Sequence, residues 1–430
     1  DTFVVSGIEN TLNGKVEGTI NIEDGRIVKV WGVLNSVGTP DVHLKFQSGK
    51  ATRLIGSNYD GSIALNPAGG VDTVTIDMFG GEVGQIRGMS STAQKATDPA
   101  EMKLEMQNFK ANSVIINVRG GKVTEKIYGG SLAGISNISI RVFDGAEVAQ
   151  IVGGSKFVQY GNVGIRVDTG ATVGEIYGGS AGGDDLRGYA YGTRANIQIF
   201  GTVTGDVIGG GYGGDILLDT KVILEAGASI GGTLYLGLKG VGARDVGSGS
   251  VKNAELIING NVTIGNEIIS DAVNLTKFTV APGIAINVPV TVDHQLVVET
   301  ATFEKKVTVG SLVVIGKMIV KCTSAEFANA IVESAGSITG PIEVQLTDEP
   351  ADIIDLTEAI VTTTPFNSLN LKITLPNGSS AEKSKKVGIS KEGEAKTVLA
   401  GTEIIQVAAN EEDALKLAEE IGGTVVVEIP

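Results

Sequence analysis

A pattern that returns about every 25 residues constrains this chain more than any other feature. Each unit holds a short alternating strand, a Gly-centred turn, and an apolar strand that ends in Gly-Gly. It reads SNISIRVFDGAEVAQIVGGS from Ser136 to Ser155 and GNVGIRVDTGATVGEIYGGS from Gly161 to Ser180. The same grammar runs through SVIINVRGGKVTEKIYGGS, Ser113 to Ser131, and more loosely through ANIQIFGTVTGDVIGGG, Ala195 to Gly211. Self-similarity at this period marks a solenoid, in which a unit buries its apolar side only by stacking on its neighbours. Two or three short strands per unit predict an all-β fold, a right-handed parallel β-helix. A propeller needs blades of about 40 residues and a Trp-Asp signature, which this chain lacks.

Period-2 alternation sends Ile138, Ile140 and Val142 inward, with Ser139 and Arg141 outward. Glycine at the turns permits the positive φ that tight corners require. Some steps between units swell to between about 32 and 40 residues, always just after the apolar-Gly ending. The excess segments are roughly 57–71, 90–112, 181–194 and 239–253. Insertions that leave from one corner gather on one side of a solenoid, often the binding side. The second carries a helix signal, with Asp98 as cap, Pro99 in the first turn and Met102, Leu104, Met106 and Phe109 as an apolar side.

Beyond Leu275 the strands still alternate but lose the Gly-Gly ending, which reads as plainer coils. From about Ser324 the chain is expected to leave the repeat, giving two parts: a β-helix over 1–323 and a capping α+β section over 324–430. In that section Phe327 to Val332 reads as a short helix, and Phe366 to Leu375 and Thr397 to Val407 as strands. Glu411 to Ile421 reads as a helix, with Asn410 as N-cap and Gly422 past its end. Such a section would cover the last open coil, since bare solenoid ends invite edge-to-edge pairing.

Composition narrows the partners. Of 430 residues 61 are Gly, twice the usual share of roughly 7%. The net charge is −15 and no basic stripe exists, which argues against nucleic acid and anionic membrane as partners. One cysteine, Cys322, excludes internal disulfides and cysteine-based metal sites. No apolar run approaches the length of about 18 residues that suggests a membrane span. The chain opens Asp1-Thr2-Phe3, without initiator Met or export leader, and reads as a fragment or mature form. A cysteine-poor, Gly-rich solenoid suits a bacterial surface, so an extracellular location is expected.

The candidate binding residues come from parity. Ile127, Ile151, Ile176, Val207 and Leu234 point inward, so the residues that follow, Tyr128, Val152, Tyr177, Ile208 and Tyr235, should point outward. Trp31, Ile55 and Arg87 extend this column toward the N-terminus. All eight tyrosines (Tyr59, Tyr128, Tyr160, Tyr177, Tyr189, Tyr191, Tyr212, Tyr235) lie in the column or in the loops after it. The only Trp joins them, whereas the eleven Phe scatter as core residues would. Aromatic rings with polar tips on a wet wall are typical of recognition sites. Rungs stack at about 4.8 Å, so Tyr128, Tyr177 and Tyr235, two rungs apart, would recur at about 10 Å. That is close to one disaccharide of a straight β-1,4-linked chain. Trp31, Arg87, Tyr128, Tyr177, Tyr189, Tyr191 and Tyr235 are therefore the candidate carbohydrate contacts. Two other readings stay open: a second buried layer under the insertions, and a protein–protein contact.

An enzyme is the rival class. Asp184 and Asp185 in GGDDLRG, with Arg187 nearby, resemble the adjacent Asp pair of polygalacturonases, whose chemistry needs two carboxylates. That family's Gly-His-Gly is missing, and the only histidines, His43 and His294, sit in other contexts. Asp184 and Asp185 with Arg187 or Arg194 could also build a Ca²⁺-dependent lyase site, though nothing requires it. An Asp pair in a Gly-rich loop is usually a solvated turn. No cofactor is called for, and no metal-ligand set stands out.

At its IYGGS and IVGGS endings the chain resembles Gly-Gly repeat surface proteins and adhesins of clostridial-type bacteria, in which such units form β-helices. Within that group it is similar to the C-terminal domain of tāpirins, cellulose-binding surface proteins of thermophilic cellulolytic bacteria. The likeness is architectural: size, a loop-bearing side and an aromatic outer strip, over about Ile20 to Ser270. It implies non-catalytic adhesion to an insoluble plant polysaccharide, cellulose above all, and assigns no individual site residue. The alternatives are a pectin-active lyase or hydrolase, and a surface-layer or protein-binding adhesin.

Overall fold

The computed structural model describes residues 4–6, 15–34, 41–59, 70–91, 110–130, 134–154, 158–179, 189–191, 194–211, 219–237, 239, 252–271 and 273–429. Most of the four insertions, including the Asp98 helix signal, and Asp184, Asp185, Arg187 and Tyr212 lie outside the described residues. The chain is mostly β and divides into two compact units, Asp1–Asn274 and Leu275–Pro430.

The first unit is a solenoid-like stack of parallel strands in the register the repeat predicts. Asn162–Val167 lies between Gly134–Val142 and Arg194–Ile199, so that Ile138, Val163 and Ala195 form one column and Ile140, Ile165 and Ile197 the next. The first continues through Thr220 and Ala254, the second through Val222 and Leu256. All of these apolar side chains are buried. Parallel pairing cannot be made by a tight hairpin, so each strand must return by a full circuit before it meets its partner.

A corner then turns each rung. Gly49, Gly81, Gly121, Gly145, Gly170 and Gly227 hold φ between 73° and 96° at that corner, a region closed to most side chains. After it a second ladder runs through Lys122–Tyr128, Glu147–Val152 and Thr172–Tyr177.

The Gly-Gly endings have a separate cause. They extend the ladder by backbone bonds such as Gly129 N–H to the Val152 carbonyl (2.9 Å), Gly153 to Tyr177 (2.8 Å) and Gly178 to Ile208 (2.8 Å). The first glycine of each pair packs against the rung above. A Cβ on Gly153 would collide with the Gly178 carbonyl oxygen and stand 2.6 Å from Val163 Cγ1. Gly56, Gly88, Gly129 and Gly178 meet the same obstruction. The first glycine is the close-packing requirement, and it recurs at Gly56 and Gly88, where Ser57 and Met89 take the second place.

In the second unit the parallel stack goes on longer than the sequence suggests. Val290–Phe303 pairs with Val307–Cys322 along most of its length, and Phe278 stacks on Phe303 at 5.4 Å. The strands Val332–Ser334, Ile338–Thr339 and Pro341–Leu346 still pair parallel with Val307–Cys322, and Asn370–Thr374 pairs with Pro341–Leu346. The repeat therefore does not end at Ser324. What does change there is a single helical turn, Ser324–Phe327, closed by a Thr323/Glu326 capping box; Val332 belongs to a strand, not to a helix.

A five-stranded sheet follows, made of Ile354–Asp355, Lys396–Ala400, Glu403–Ala408, Glu382–Ser390 and Thr424–Ile429. The predicted Thr397–Val407 strand is a hairpin, and Phe366–Ser368 is a 3₁₀ turn before the Asn370 strand. The helix Glu411–Ile421 forms as expected. The Asn410 side chain accepts from Asp413 N–H at 2.9 Å and Gly422 ends it at φ 63°.

Gly153→Ala is expected to destabilise the first unit by about 2 kcal/mol through overpacking. Gly164→Ala is the control, because the nearest atom to its Cβ is 3.9 Å away and its φ is ordinary. Chemical denaturation should place Gly164→Ala within about 0.5 kcal/mol of the parent. Equal behaviour of the two variants would refute the close-packing account.

Candidate binding surface

The predicted column exists, rung upon rung. Trp31, Ile55, Arg87, Tyr128, Val152, Tyr177, Ile208 and Tyr235 are successive register partners, with Ile269 next. For Trp31, Tyr189 and Tyr191 the described part is the backbone. Tyr189 and Tyr191 pair with Val158 and Tyr160 in a separate two-stranded ladder, away from the column's register.

The column is not a wet wall, and here the sequence expectation is corrected. Val152 and Ile208 are fully buried, Tyr177 is 7% exposed, and Tyr128 and Tyr235 pack half-buried against them. The Tyr177 hydroxyl donates to Glu175 Oε1 (3.0 Å). Lys239 spans Glu175 (2.8 Å) and Asp206 (2.7 Å) beside it. Burial, then the Glu175 charge and hydrogen bond, pushes the Tyr177 phenol well above its usual range. Burial likewise raises Tyr128, against the opposing charge of Arg87, whose guanidinium lies 5.6 Å from the ring centre. Arg87 also donates from Nε and Nη2 to Gln85 Oε1, at 3.2 and 2.9 Å. These aromatics form a second apolar layer with polar pins. Tyr177→Ala should cost about 3 kcal/mol in a denaturant melt, and Tyr177→Phe about 1 kcal/mol; a silent Tyr177→Ala would contradict this burial.

A different column is exposed or partly exposed. Phe79, Arg119, Phe143, Asp168, Phe200, Glu225 and Asn259 each follow the last inward residue of the first ladder. Each donates its backbone N–H to the previous rung, as Phe143 does to Val118 (2.9 Å) and Phe200 to Val167 (2.8 Å). Phe79 is 42% exposed, and Phe143 and Phe200 are partly exposed. Guanidinium groups lie against all three rings: Arg119 is 5.8 Å from Phe79 and 4.6 Å from Phe143, Arg141 is 4.2 Å from Phe143, and Arg166 is 4.4 Å from Phe200. Three of the phenylalanines expected to be core residues are therefore surface residues. The signal was present: Met78, Val142 and Ile199 point inward, so parity sends the residue after each of them outward.

Carboxylates fix the arginines. Asp168 accepts from Arg141 Nε (2.8 Å) and Arg166 Nε (2.6 Å), and Asp77 accepts from Arg119 Nε (2.9 Å) and Asn117 (3.0 Å), with His43 Nε2 at 2.7 Å. Burial raises the Asp168 carboxyl, but the hydrogen bonds and charges of Arg166 and Arg141 outweigh it and hold the group below the usual carboxylate range. Asp77 follows the same balance, with burial opposed by His43, Arg119 and Asn117.

Beside this strip runs an open groove of about 600 Å³, floored by Gly49, Gly81, Gly121 and Gly145. Its far edge is the register column Lys50, Glu82, Lys122 and Glu147, with ion pairs at 3.2 Å (Lys50–Glu82) and 2.8 Å (Lys122–Glu147). Phe79 and Phe143 stand two residues before Gly81 and Gly145, so the aromatic strip and the charged edge flank the same line of corners.

The remaining candidates are separate from this surface. Arg194 is exposed and bridges Glu255 at 3.5 Å, and His294 is exposed in the second unit. Cys322 is buried, which pushes its thiol up to about 12 and keeps it protonated. Among the described residues no three His, Cys, Asp or Glu side chains converge as metal ligands. Comparison with protein families, with curated proteins and with solved structures returns no match to this chain.

A carboxylate held below its unfolded value of about 4 stabilises the fold above that pH and loses its contribution as pH falls through the lower folded value. Asp168→Asn should therefore cost on the order of 1 kcal/mol at about pH 7, after allowance for screening around its half-exposed arginines. Thermal melts should show that deficit shrinking below about pH 4. A deficit that stays constant down to about pH 2 would show that the charge plays no part.

Proposed function

We propose that the first unit is a right-handed parallel β-helix that holds a straight, uncharged polysaccharide, cellulose in the first instance, without cleaving it. It would act outside the cell as an adhesin, as the resemblance to cellulose-binding surface proteins also suggests. The observation that carries this reading is the alternate-rung placement of Phe79, Phe143 and Phe200 along one outer strip. Two rungs span about 10 Å, the length of one disaccharide of a β-1,4-linked chain, so each ring would meet the same face of every second sugar.

The polar groups suit the same ligand. Arg119, Arg141 and Arg166 are held by Asp77 and Asp168, which presents their remaining N–H donors to sugar hydroxyls at little further cost in side-chain entropy. The Lys50, Glu82, Lys122 and Glu147 edge offers donors and acceptors in alternation, as a ligand rich in hydroxyls and without net charge requires. Individual contacts of about 1 kcal/mol then add along a stiff chain. This strip replaces the Tyr128, Tyr177 and Tyr235 column as the proposed contact, because Tyr177 is buried and Tyr128 and Tyr235 pack half-buried against its layer.

The triple variant Phe79→Ala, Phe143→Ala, Phe200→Ala is expected to keep its circular dichroism spectrum and lose at least about tenfold in affinity for microcrystalline cellulose, the worth of roughly 1.4 kcal/mol. Sedimentation with insoluble glycans measures it. Undiminished co-sedimentation of the folded variant would reject this surface, and failure of the parent to bind any of a panel of insoluble glycans would reject the reading itself.

A further inference from the structure

We propose that the second ladder of the first unit carries a separate site for a linear acidic sugar chain, a short polyuronate, held through its carboxylates by Arg53, Arg87 and Lys126. The three residues lie on consecutive rungs. Arg53, Gln85 and Lys126 are register partners in one outward column, and Ile55, Arg87 and Tyr128 are partners two residues further along. Lys29 holds the register position of Arg53 one rung earlier.

Gln85 brings the cations into line. Arg87 Nε and Nη2 both donate to Gln85 Oε1, at 3.2 and 2.9 Å. That draws the guanidinium back toward the column of Arg53 and Lys126, so each rung presents one positive group. Two of the five N–H donors of Arg87 are used in this way, which leaves its outer edge to a carboxylate fork.

These cations lack what the other arginines have. Of the six arginines whose side chains are described, Arg119, Arg141, Arg166 and Arg194 each pair with a carboxylate. Among the described residues no carboxylate pairs with Arg53, Arg87 or Lys126. The exposed Glu125 beside them accepts from Gln85 Nε2 instead, at 2.5 Å. Arg53 Nε is buried and meets no acceptor, so the fold itself leaves this guanidinium unsatisfied. Burial, then the charge of Arg53, lowers Arg87 from its usual range, which shows the two guanidinium groups repelling one another. All three side chains are partly exposed. In a chain with 49 acidic residues, neighbouring cations without a carboxylate point to an anion that arrives from outside.

Spacing selects the kind of anion. Rungs stand about 4.8 Å apart, close to the length of one sugar, so carboxylates carried one per sugar meet one cation per rung. Carboxylates on one side of an extended peptide recur only at about 6.8 Å, out of step with the rungs. Two rungs beyond Lys126 the column position belongs to Glu175, whose charge ends the run and limits the bound segment to about three or four sugars. The net charge of −15 is screened beyond about 8 Å at physiological ionic strength, so the local cations decide.

The probe is α-1,4-linked trigalacturonate, titrated calorimetrically into the full chain. We expect saturable binding with a dissociation constant below about 1 mM. Its trimethyl ester, which keeps the sugars and loses the charges, should bind at least about tenfold more weakly. Arg53→Gln with Lys126→Gln should weaken binding at least about fivefold without lowering the melting temperature, because it removes like charges and breaks no described ion pair. Should that double variant melt lower, Lys126→Gln alone and the comparison of acid with ester still decide. No saturation up to about 10 mM, equal affinity for the ester, or indifference to the variants would each overturn the proposal. Triglutamate bound as tightly as trigalacturonate would overturn it too, since the spacing would then select nothing. None of these residues belongs to the phenylalanine strip, so this outcome and that of cellulose co-sedimentation are independent.

Discussion

The approach of one rung's backbone to the next is the constraint on which this protein depends. Parallel strands reach registry only after a complete circuit, so every residue in a unit has a partner about one repeat away rather than beside it in the chain. The backbone bonds from Gly129, Gly153 and Gly178 carry the ladder through a place where a side chain would strike the carbonyl of the next rung. Because that place recurs in each unit, the glycine recurs. The positive φ at Gly81, Gly121 and Gly145 does the same for the corner. Two different physical demands, close approach and left-handed backbone, account for much of the glycine in the first unit.

Once rungs are locked in register, side chains at equivalent positions become columns, and a column multiplies whatever one residue can do. Inward columns of Ile, Val and Leu supply the core. The Tyr128, Val152, Tyr177, Ile208 and Tyr235 column supplies a second apolar layer, held at Tyr177 by Glu175, Asp206 and Lys239. The Phe79, Phe143 and Phe200 column stays at the surface with arginines against its rings. Similar chemistry thus serves packing on one side of the corner and presents an accessible strip on the other.

The pairs that steady the surface strip connect residues far apart in sequence but adjacent in the stack. Arg141 and Asp168 are 27 residues apart, and Arg119 and Asp77 are 42 apart. Such pairs are cheap to make in a solenoid, since the backbone ladder has already brought the two positions to neighbouring rungs. The arginines are thereby ordered before any ligand arrives, which lowers the entropy lost on binding. Exposed pairs such as Lys122–Glu147 add little stability by themselves; their arrangement along the groove matters more than their energy.

Much of the architecture was legible in the sequence, because period, parity and turn glycines are local signals. The repeat identified the rungs, alternation identified the inward residues, and Asn410 with Gly422 marked both ends of the last helix. The sequence also put Tyr128, Tyr177 and Tyr235 in one column, which the register bears out. Parity decides only which side of a strand a residue leaves from; it says nothing of what lies beyond that side. Whether a column meets water or another layer depends on contacts such as Lys239 with Glu175, 64 residues apart. Those contacts exist only after the chain has wound, so tertiary structure alone decided that Tyr177 is buried with Tyr128 and Tyr235 half-buried against its layer, and that Phe79 is exposed with Phe143 and Phe200 partly so.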